Sequence, residues 1–292
     1  MLEYVASNAL EQGLLYAFMV LGVLLSFHML GFPDLTVEGS YPLGGAVAAR
    51  LLVEGATPAV ATLAGALAGA AAGAATGLMH TRLHINNILA GILTTSALFT
   101  LMLRVMGRPN TPLLDQPSVV AWALGPFGLR ENVRTTILVV GVLVLVTRAA
   151  MGWFLRTDVG LTIRATGNNE RMIRALGVDT DRTKILTLAI SNGLVALTGA
   201  LVAQNQGFSD VTMGIGALVG AVASIIIGQT LFGDRGIGWL LSSVIVGSLV
   251  YRALLATALR FGMPPTDLKL VTAALVLAAL ALPAIRSRHR TT

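Results

Sequence analysis

AVATLAGALAGAAAGAATGLM, the run from Ala59 to Met79, carries no charged residue and consists mostly of alanine and glycine. In water such a run has little reason to fold, because glycine costs a helix about 1 kcal/mol relative to alanine and no polar face meets the solvent. Inside a bilayer the same composition has a use. Small residues let two helix backbones approach closely, and packing then supplies the cohesion that the hydrophobic effect supplies elsewhere. A flexible linker would show serine runs and charge, and neither is present. The stretch Ala59–Gly77 is therefore expected to be packing surface throughout, in a span matching the roughly 20 apolar residues a bilayer crossing needs.

The rest of the chain supports this reading. Of the 292 residues 55% are hydrophobic and only 12% charged, with a mean hydropathy of +0.78, whereas soluble domains carry about 25% charge. The net charge of +6 would suggest nucleic acid in a soluble protein. Here the basic residues cluster in loops, which is a statement about membrane orientation, and no nucleic-acid partner is expected. Cysteine is absent, excluding disulfides and thiolate metal sites. The first hydrophobic segment lacks a basic leader and a small-residue cleavage site, so it is expected to be the insertion signal itself.

Nine candidate spans follow: Gln12–Leu30, Thr36–Val53, Ala59–Met79, Asn86–Val105, Thr135–Phe154, Lys184–Ala203, Ile215–Leu231, Ile237–Leu259 and Leu268–Ala284. The second and seventh are short and glycine-rich, as broken or re-entrant helices would be. Loop 155–184 carries Arg156, Arg164, Arg171, Arg174, Arg182 and Lys184, and the tail carries Arg286, Arg288 and Arg290. The positive-inside rule places both in the cytoplasm, along with the turns holding Arg82 and Arg235. The N-terminus then lies outside and the C-terminus in the cytoplasm. Arg104, Arg108, Arg130, Arg134 and Arg260 oppose this assignment, but the inside clusters are denser.

GFPDLTV (Gly31–Val37) is repeated as GFSDVTM (Gly207–Met213), and Gly44 falls over Gly220 at the same offset. On this topology the copies open to opposite sides, the mark of an inverted repeat. The expected architecture is an all-α integral membrane protein with about nine transmembrane helices in a 4+1+4 arrangement. The halves cover about 12–105 and 184–284, within a single domain spanning 1–292. Asp34 and Asp210 stand where they would cap the helix that follows, and discontinuous helices of this type carry transport sites.

Polar residues at membrane depth extend the candidate substrate pathway: Asp34, Thr36, Glu38, Ser40, Asn86, Asn87, Gln204, Asp210 and Thr212. An acid at the centre of a span costs about 2.5–3.5 kcal/mol on insertion scales, so Glu38 needs a wet cavity, an interface or the headgroup level. Asn86 also reads as a helix cap, and the Gln204–Gln206 cluster as an external vestibule or loop.

Loop 155–184 reads as two short capped helices. Asp158 starts the first and Gly167 ends it; Asn168 starts the second and Gly177 stops it. Glu170 and Arg174 complement the helix dipole. Met172, Ile173 and Leu176 form an apolar stripe suited to a partner's groove, although lipid would also suit it.

The segment GLTIRATGNNERMIRALGVDTDRTKILTLAISNGLVALTGAL (Gly160–Leu201) resembles the coupling region of ATP-binding cassette (ABC) importer permeases of the branched-chain amino acid type. The matching residues are Gly160, Arg164, Ala165, Leu176, Gly177 and Val178. LGFPDLTVEGSYPLGGAVAA (Leu30–Ala49) resembles an amino-acid-type subgroup, and its DLTVEGS core is similar to the DLSVG motif of sugar permeases in the same superfamily. The resemblance implies a permease dimer, most simply a homodimer, embedded in lipid in a prokaryotic cytoplasmic membrane. It also implies separate ABC ATPase subunits holding ATP and magnesium, and an extracytoplasmic substrate-binding protein. Gly160, Arg164, Ala165, Gly167, Asn168, Arg171, Met172, Leu176 and Gly177 would form the contact with the ATPase. The chain departs from the branched-chain members around Glu38, which weakens the transfer of their specificity.

No G-x-x-x-x-G-K-[ST] loop is present, so any ATP hydrolysis belongs to another chain. The histidines show no H-E-x-x-H spacing, there is no G-x-S-x-G elbow, and His80 and His84 sit at a helix end beside Arg82. A transport permease without cofactor or metal is expected, rather than an enzyme. The alternative is an ion-coupled secondary transporter with inverted repeats, for which Glu38 is the one convincing intramembrane titratable group.

Overall fold

The computed structural model describes residues 2–233 and 235–261, together with 263, 267, 270, 272–274 and 277. The described chain is almost wholly helical. α1 (Leu2–Val23) continues through a π-helical turn (Leu24–Met29) and is followed by α2 (Val37–Val53), α3 (Pro58–Arg82) and α4 (Asn87–Met106). Strand β1 (Asn110–Pro112), α5 (Val119–Leu124) and α6 (Val133–Phe154) lead to α7 (Asp158–Asn168) and α8 (Glu170–Ala175). α9 (Thr180–Gln206), β2 (Phe208–Asp210), α10 (Ala217–Phe232) and α11 (Ile237–Arg260) complete it. The two strands are an addition to the expected all-α chain. They pair antiparallel, Asn110 opposite Asp210.

Among the described residues six helices are long and apolar enough to cross a membrane: Ala6–Met29, Pro58–Arg82, Asn87–Met106, Val133–Phe154, Thr180–Gln206 and Ile237–Arg260. They match six of the nine expected spans. The expected spans Thr36–Val53 and Ile215–Leu231 correspond to α2 and α10, of 17 and 16 residues. At 1.5 Å per residue each reaches about 25 Å, short of the ~30 Å hydrocarbon core. Each is continuous, so the chain is irregular ahead of these helices rather than within them. Of the ninth expected span, Leu268–Ala284, only residues 270, 272–274 and 277 are described, each helical, and the tail Arg286–Arg290 lies outside the described residues.

α9 is the axis of the bundle, packed by α3, α2 and α1. Glycine sets these approaches. A β-carbon on Gly199 would overlap the Tyr41 carbonyl oxygen on α2, and one on Gly73 would overlap the Leu188 carbonyl oxygen. Only one face of α3 serves as packing surface, which corrects the expectation for Ala59–Gly77. Gly65, Gly69 and Gly73 are buried, while Leu63 and Leu67 point outward, as lipid-facing residues do. α6 likewise exposes Leu138, Val142 and Leu145 while burying Val140 and Val144.

Candidate functional site: a polar lattice inside the bundle and a shelf at its end

The irregular segment between the π-turn and α2 returns the chain into the bundle, where its polar groups require partners. Asp34 is buried. Its Oδ1 accepts the Thr36 N–H at 2.9 Å, and its Oδ2 accepts from Asn192 Nδ2 at 2.6 Å. Asn192 Oδ1 in turn accepts the Ser40 hydroxyl at 2.7 Å. Thr36 Oγ1 lies 2.7 Å from Thr76 Oγ1, which donates to Thr94 Oγ1 at 2.8 Å. One level along α9, Ser191 donates to the Gly22 carbonyl at 2.7 Å. Asp34, Thr36 and Ser40 are thus brought together, but as one saturated lattice joining α2, α3, α4 and α9.

Glu38 points elsewhere. It is half-buried, and its Oε1 accepts the Gly216 N–H at 3.0 Å, ahead of α10. Pro42 lies inside α2 and withholds the N–H that would bond the Glu38 carbonyl. Gly214 packs against that carbonyl oxygen. Asn86 caps α4 through Ile88 N at 3.0 Å, and Asn87 sits beside it; both are apart from the lattice. Gln204 straps three elements, accepting from Val119 N at 2.8 Å and donating to Thr62 Oγ1 at 2.8 Å. Asp210 accepts from Thr212 N at 2.8 Å, from the Thr212 hydroxyl and from Asn110 Nδ2 at 3.1 Å. Burial alone would raise the Asp210 carboxyl, but these donors outweigh it and hold the group below the usual 3.8.

At the other end of α9, α7 and α8 form a shelf. Thr157 rather than Asp158 caps α7, its Oγ1 accepting Gly160 N at 3.4 Å. Asn169 rather than Asn168 caps α8, accepting Met172 N at 3.0 Å. Both corrections are one-residue shifts between adjacent residues able to cap. Gly177 stops α8 as expected, at φ +86°. Its N–H bonds the Arg174 carbonyl and the Val178 N–H the Ile173 carbonyl, at 3.1 and 3.4 Å, a Schellman ending. Gly160 packs against the Phe154 carbonyl and Gly167 against the Met29 carbonyl, where side chains would overlap.

Glu170 braces the shelf. It meets Lys184 Nζ at 2.7 Å and Arg174 at 3.1 Å, and Arg174 meets Asp181 at 2.8 Å. Burial alone would raise Glu170; the Lys184 ammonium, Thr180 and Arg174 overcome that and hold it below the usual 4.5. The expected apolar stripe splits. Ile173 is buried, while Met172 and Leu176 stand 52% and 71% exposed. Arg171 and Asn168 are exposed beside them. Arg164 and Ala165 line a cleft of about 780 Å³ together with His28, Asn168, Gly236 and Ile237, whose lining does not include Met172 or Leu176.

Three residues carry more of the arrangement than the sequence reading assigns to them. Asn192 is the centre of the lattice, and a lone amide in an apolar span is the signal that finds it. Arg148 on α6 donates to Ser242 Oγ at 2.8 Å and to the Gly238 carbonyl at 3.0 Å. Arg252 on α11 stacks over the Tyr16 ring, its guanidinium carbon 3.3 Å from the centroid. Charges within spans flag both arginines.

Bilayer-length apolar helices packed around a buried polar lattice define a multi-pass membrane protein. Residues 5–280 match the family described as "Branched-chain amino acid transport system / permease component", and the chain belongs to it. It is thus a permease of the branched-chain and ribose importer type, a transport subunit rather than an enzyme. The tyrosine transport system permease protein of Clostridioides difficile (strain R20291) is 40% identical over 274 residues, covering 94% of this chain and 90% of that protein. An uncharacterised protein of Rickettsia prowazekii (strain Madrid E) is 33% identical over 271 residues, covering 90% and 92%. The ribose import permease protein RbsC of Escherichia coli (strain K12) is 28% identical over 251 residues, covering 83% and 75%. No solved structure matches the chain.

Proposed function

We propose that this chain is the membrane-spanning half of an ATP-driven importer for an amino acid, with an aromatic amino acid such as tyrosine as the first cargo to test. The observation that carries the importer reading is the shelf. α8 buries Ile173, braces itself through Glu170, Arg174 and Lys184, and still leaves Met172 and Leu176 in the open. A helix that lay on lipid for its own stability would not need such a frame. A rigid frame with projecting apolar knobs suits a groove in a partner that pushes. Arg164, Leu176 and Gly177 would transmit that push to α9 and to the cleft behind α7. The 40% identity to a tyrosine permease supports the cargo class.

On this reading the shelf faces the cytoplasm, where two ATPase subunits supply ATP and magnesium. The β1–β2 end faces outward toward a binding protein, with the N-terminus outside, and two copies of the chain form the pore unit. The two Gly-Phe-x-Asp-x-Thr turns, in each of which the Thr N–H donates to the Asp carboxylate, support the inverted-repeat reading of the 4+1+4 plan.

Leu176→Asp tests the coupling. Burying a charge in the partner's groove costs several kcal/mol, so ATP-dependent uptake should fall by at least an order of magnitude while the permease still inserts. Uptake at the wild-type rate in reconstituted vesicles refutes the docking role of the shelf.

A further inference from the structure

A cavity of about 150 Å³ lies between α1, α10 and α11, walled by Tyr16, Met19, Met213, Ala217, Tyr251 and Arg252. Arg252 stacks on Tyr16, whose hydroxyl is 2.8 Å from that of buried Tyr41. Among the described residues none of the ion pairs includes Arg252, and its Nε is buried without a hydrogen-bond partner. The α10 N-terminus at Ala217 borders the same cavity, and the N–H of Gly216 just ahead of it is already accepted by Glu38 Oε1 at 3.0 Å. Arg252 therefore lines this cavity without an ion-pair partner among the described residues, while the helix start beside it already has Glu38. A cation at membrane depth ordinarily has a partner within the bundle.

We propose that this cavity receives the carboxylate of the transported amino acid, with Arg252 as its counter-ion and its buried, unpartnered Nε as a donor. The proposal rests on the importer reading above and names the permease's own contact with cargo. A cavity of about 150 Å³ admits a group the size of a benzene ring, so it holds one end of an aromatic amino acid, with Tyr16, Tyr251, Met19 and Met213 as apolar walls. The charge pattern fits an amino acid. Glu38, bonded to Gly216 on the cavity wall, is the anion that an ammonium group meets. A lipid phosphate is the other source of an anion, but at 1.5 Å per residue Arg252 lies about 12 Å along α11 from Arg260, where the helix ends.

The test uses the assembled transporter in vesicles of phosphatidylethanolamine and phosphatidylglycerol, with radiolabelled L-tyrosine on a saturating binding protein. Wild-type uptake tests the importer reading by itself. If wild type hydrolyses ATP but takes up no tyrosine, both the cargo assignment and the carboxylate site fall. If wild type transports, Arg252→Gln should lower maximal uptake about tenfold, the loss of one charged hydrogen bond. Binding-protein-stimulated ATP hydrolysis should persist, and Arg252→Lys should be intermediate. Ala217→Asp supplies an anion in cis and should abolish uptake, while the neutral, equal-sized Ala217→Asn should not. This pair decides the matter if Arg252→Gln fails to assemble. Unchanged uptake in Arg252→Gln, or equal loss in Ala217→Asp and Ala217→Asn, overturns the site. So does wild-type uptake that falls to the Arg252→Gln level in vesicles of phosphatidylcholine alone, which assigns Arg252 to lipid.

Discussion

The turn at Gly31–Val37 and the turn at Gly207–Met213 bend the backbone in the same way and spend their side chains differently. Each begins with a glycine in the left-handed region, at φ +68° and +78°. In each the aspartate Oδ1 accepts the N–H of the threonine two residues on, at 2.9 and 2.8 Å. The second oxygen separates them. In Asp34 it is buried against Asn192 on the central helix, whereas in Asp210 it meets Asn110 on an exposed strand. α2 starts directly after the first turn, but α10 starts only after a further irregular stretch ending at Gly216. One sequence motif therefore serves as an internal lock in the first half and as an open rim in the second. The first turn thus ties α2 to α9, whereas the segment before α10 is held to α2 through Gly214 and Gly216 at Glu38.

The comparison breaks most readily at its buried partner. Asn192→Leu removes the amide that Asp34 and Ser40 share and leaves both buried groups without it. Orphaned buried polar groups cost about 1–3 kcal/mol each, so thermal unfolding in detergent should show a loss of about 3 kcal/mol. Asp210→Ala, on the exposed copy, should cost about 1 kcal/mol or less, as loss of a cap does. Equal losses would mean that the two turns carry the same load and that the lock is not one-sided.

Which parts of this arrangement the sequence discloses follows from how local each signal is. The capped shelf helices, the six long spans and the paired turns are visible because short-range rules govern them: apolar length, capping residues and left-handed glycines. The caps at Thr157 and Asn169 are displaced by one residue because adjacent residues compete for the same bonds. The lengths of α2 and α10 are not legible, since tertiary packing rather than lipid buries them. Nor is the separation of Glu38 from Asp34, Thr36 and Ser40, which depends on where Gly214 and Gly216 arrive, the latter from 178 residues away. Arg252 illustrates a remaining gap, for its charge within a span is plain, but its stack on Tyr16 requires α1 and α11 to be neighbours.

A smaller effect sharpens the similarity rather than the difference. Since the two turn glycines share a left-handed backbone, Gly31→Ala and Gly207→Ala should cost nearly the same, about 1–2 kcal/mol each. Near Gly31 a β-carbon finds only the Gly167 carbonyl at 3.7 Å, and near Gly207 it finds the end of the Leu114 side chain at 2.8 Å, which can turn aside. A Gly207 variant markedly worse than its counterpart would show that the second turn is fixed by packing on β1 after all.

The least of the expected effects is a pH dependence confined to the open copy. Asp210 is held below the usual 3.8 by the Thr212 hydroxyl, its backbone N–H and Asn110, against the opposing effect of burial. A carboxyl whose folded value is depressed contributes stability above its unfolded value and loses it as pH falls through the folded one. The window therefore lies below about pH 3.9, the unfolded reference. Because Asp210 is largely open to solvent, the contribution should stay under about 1 kcal/mol. Amide exchange at Thr212 should accelerate as pH drops from 5 toward 3 relative to the intrinsic rate for an unstructured chain, and Asp210→Asn should remove that excess. If Asp210→Asn leaves the excess in place, the rim is held by the β1–β2 pairing instead, and the carboxylate at position 210 is not what gives this turn its shape.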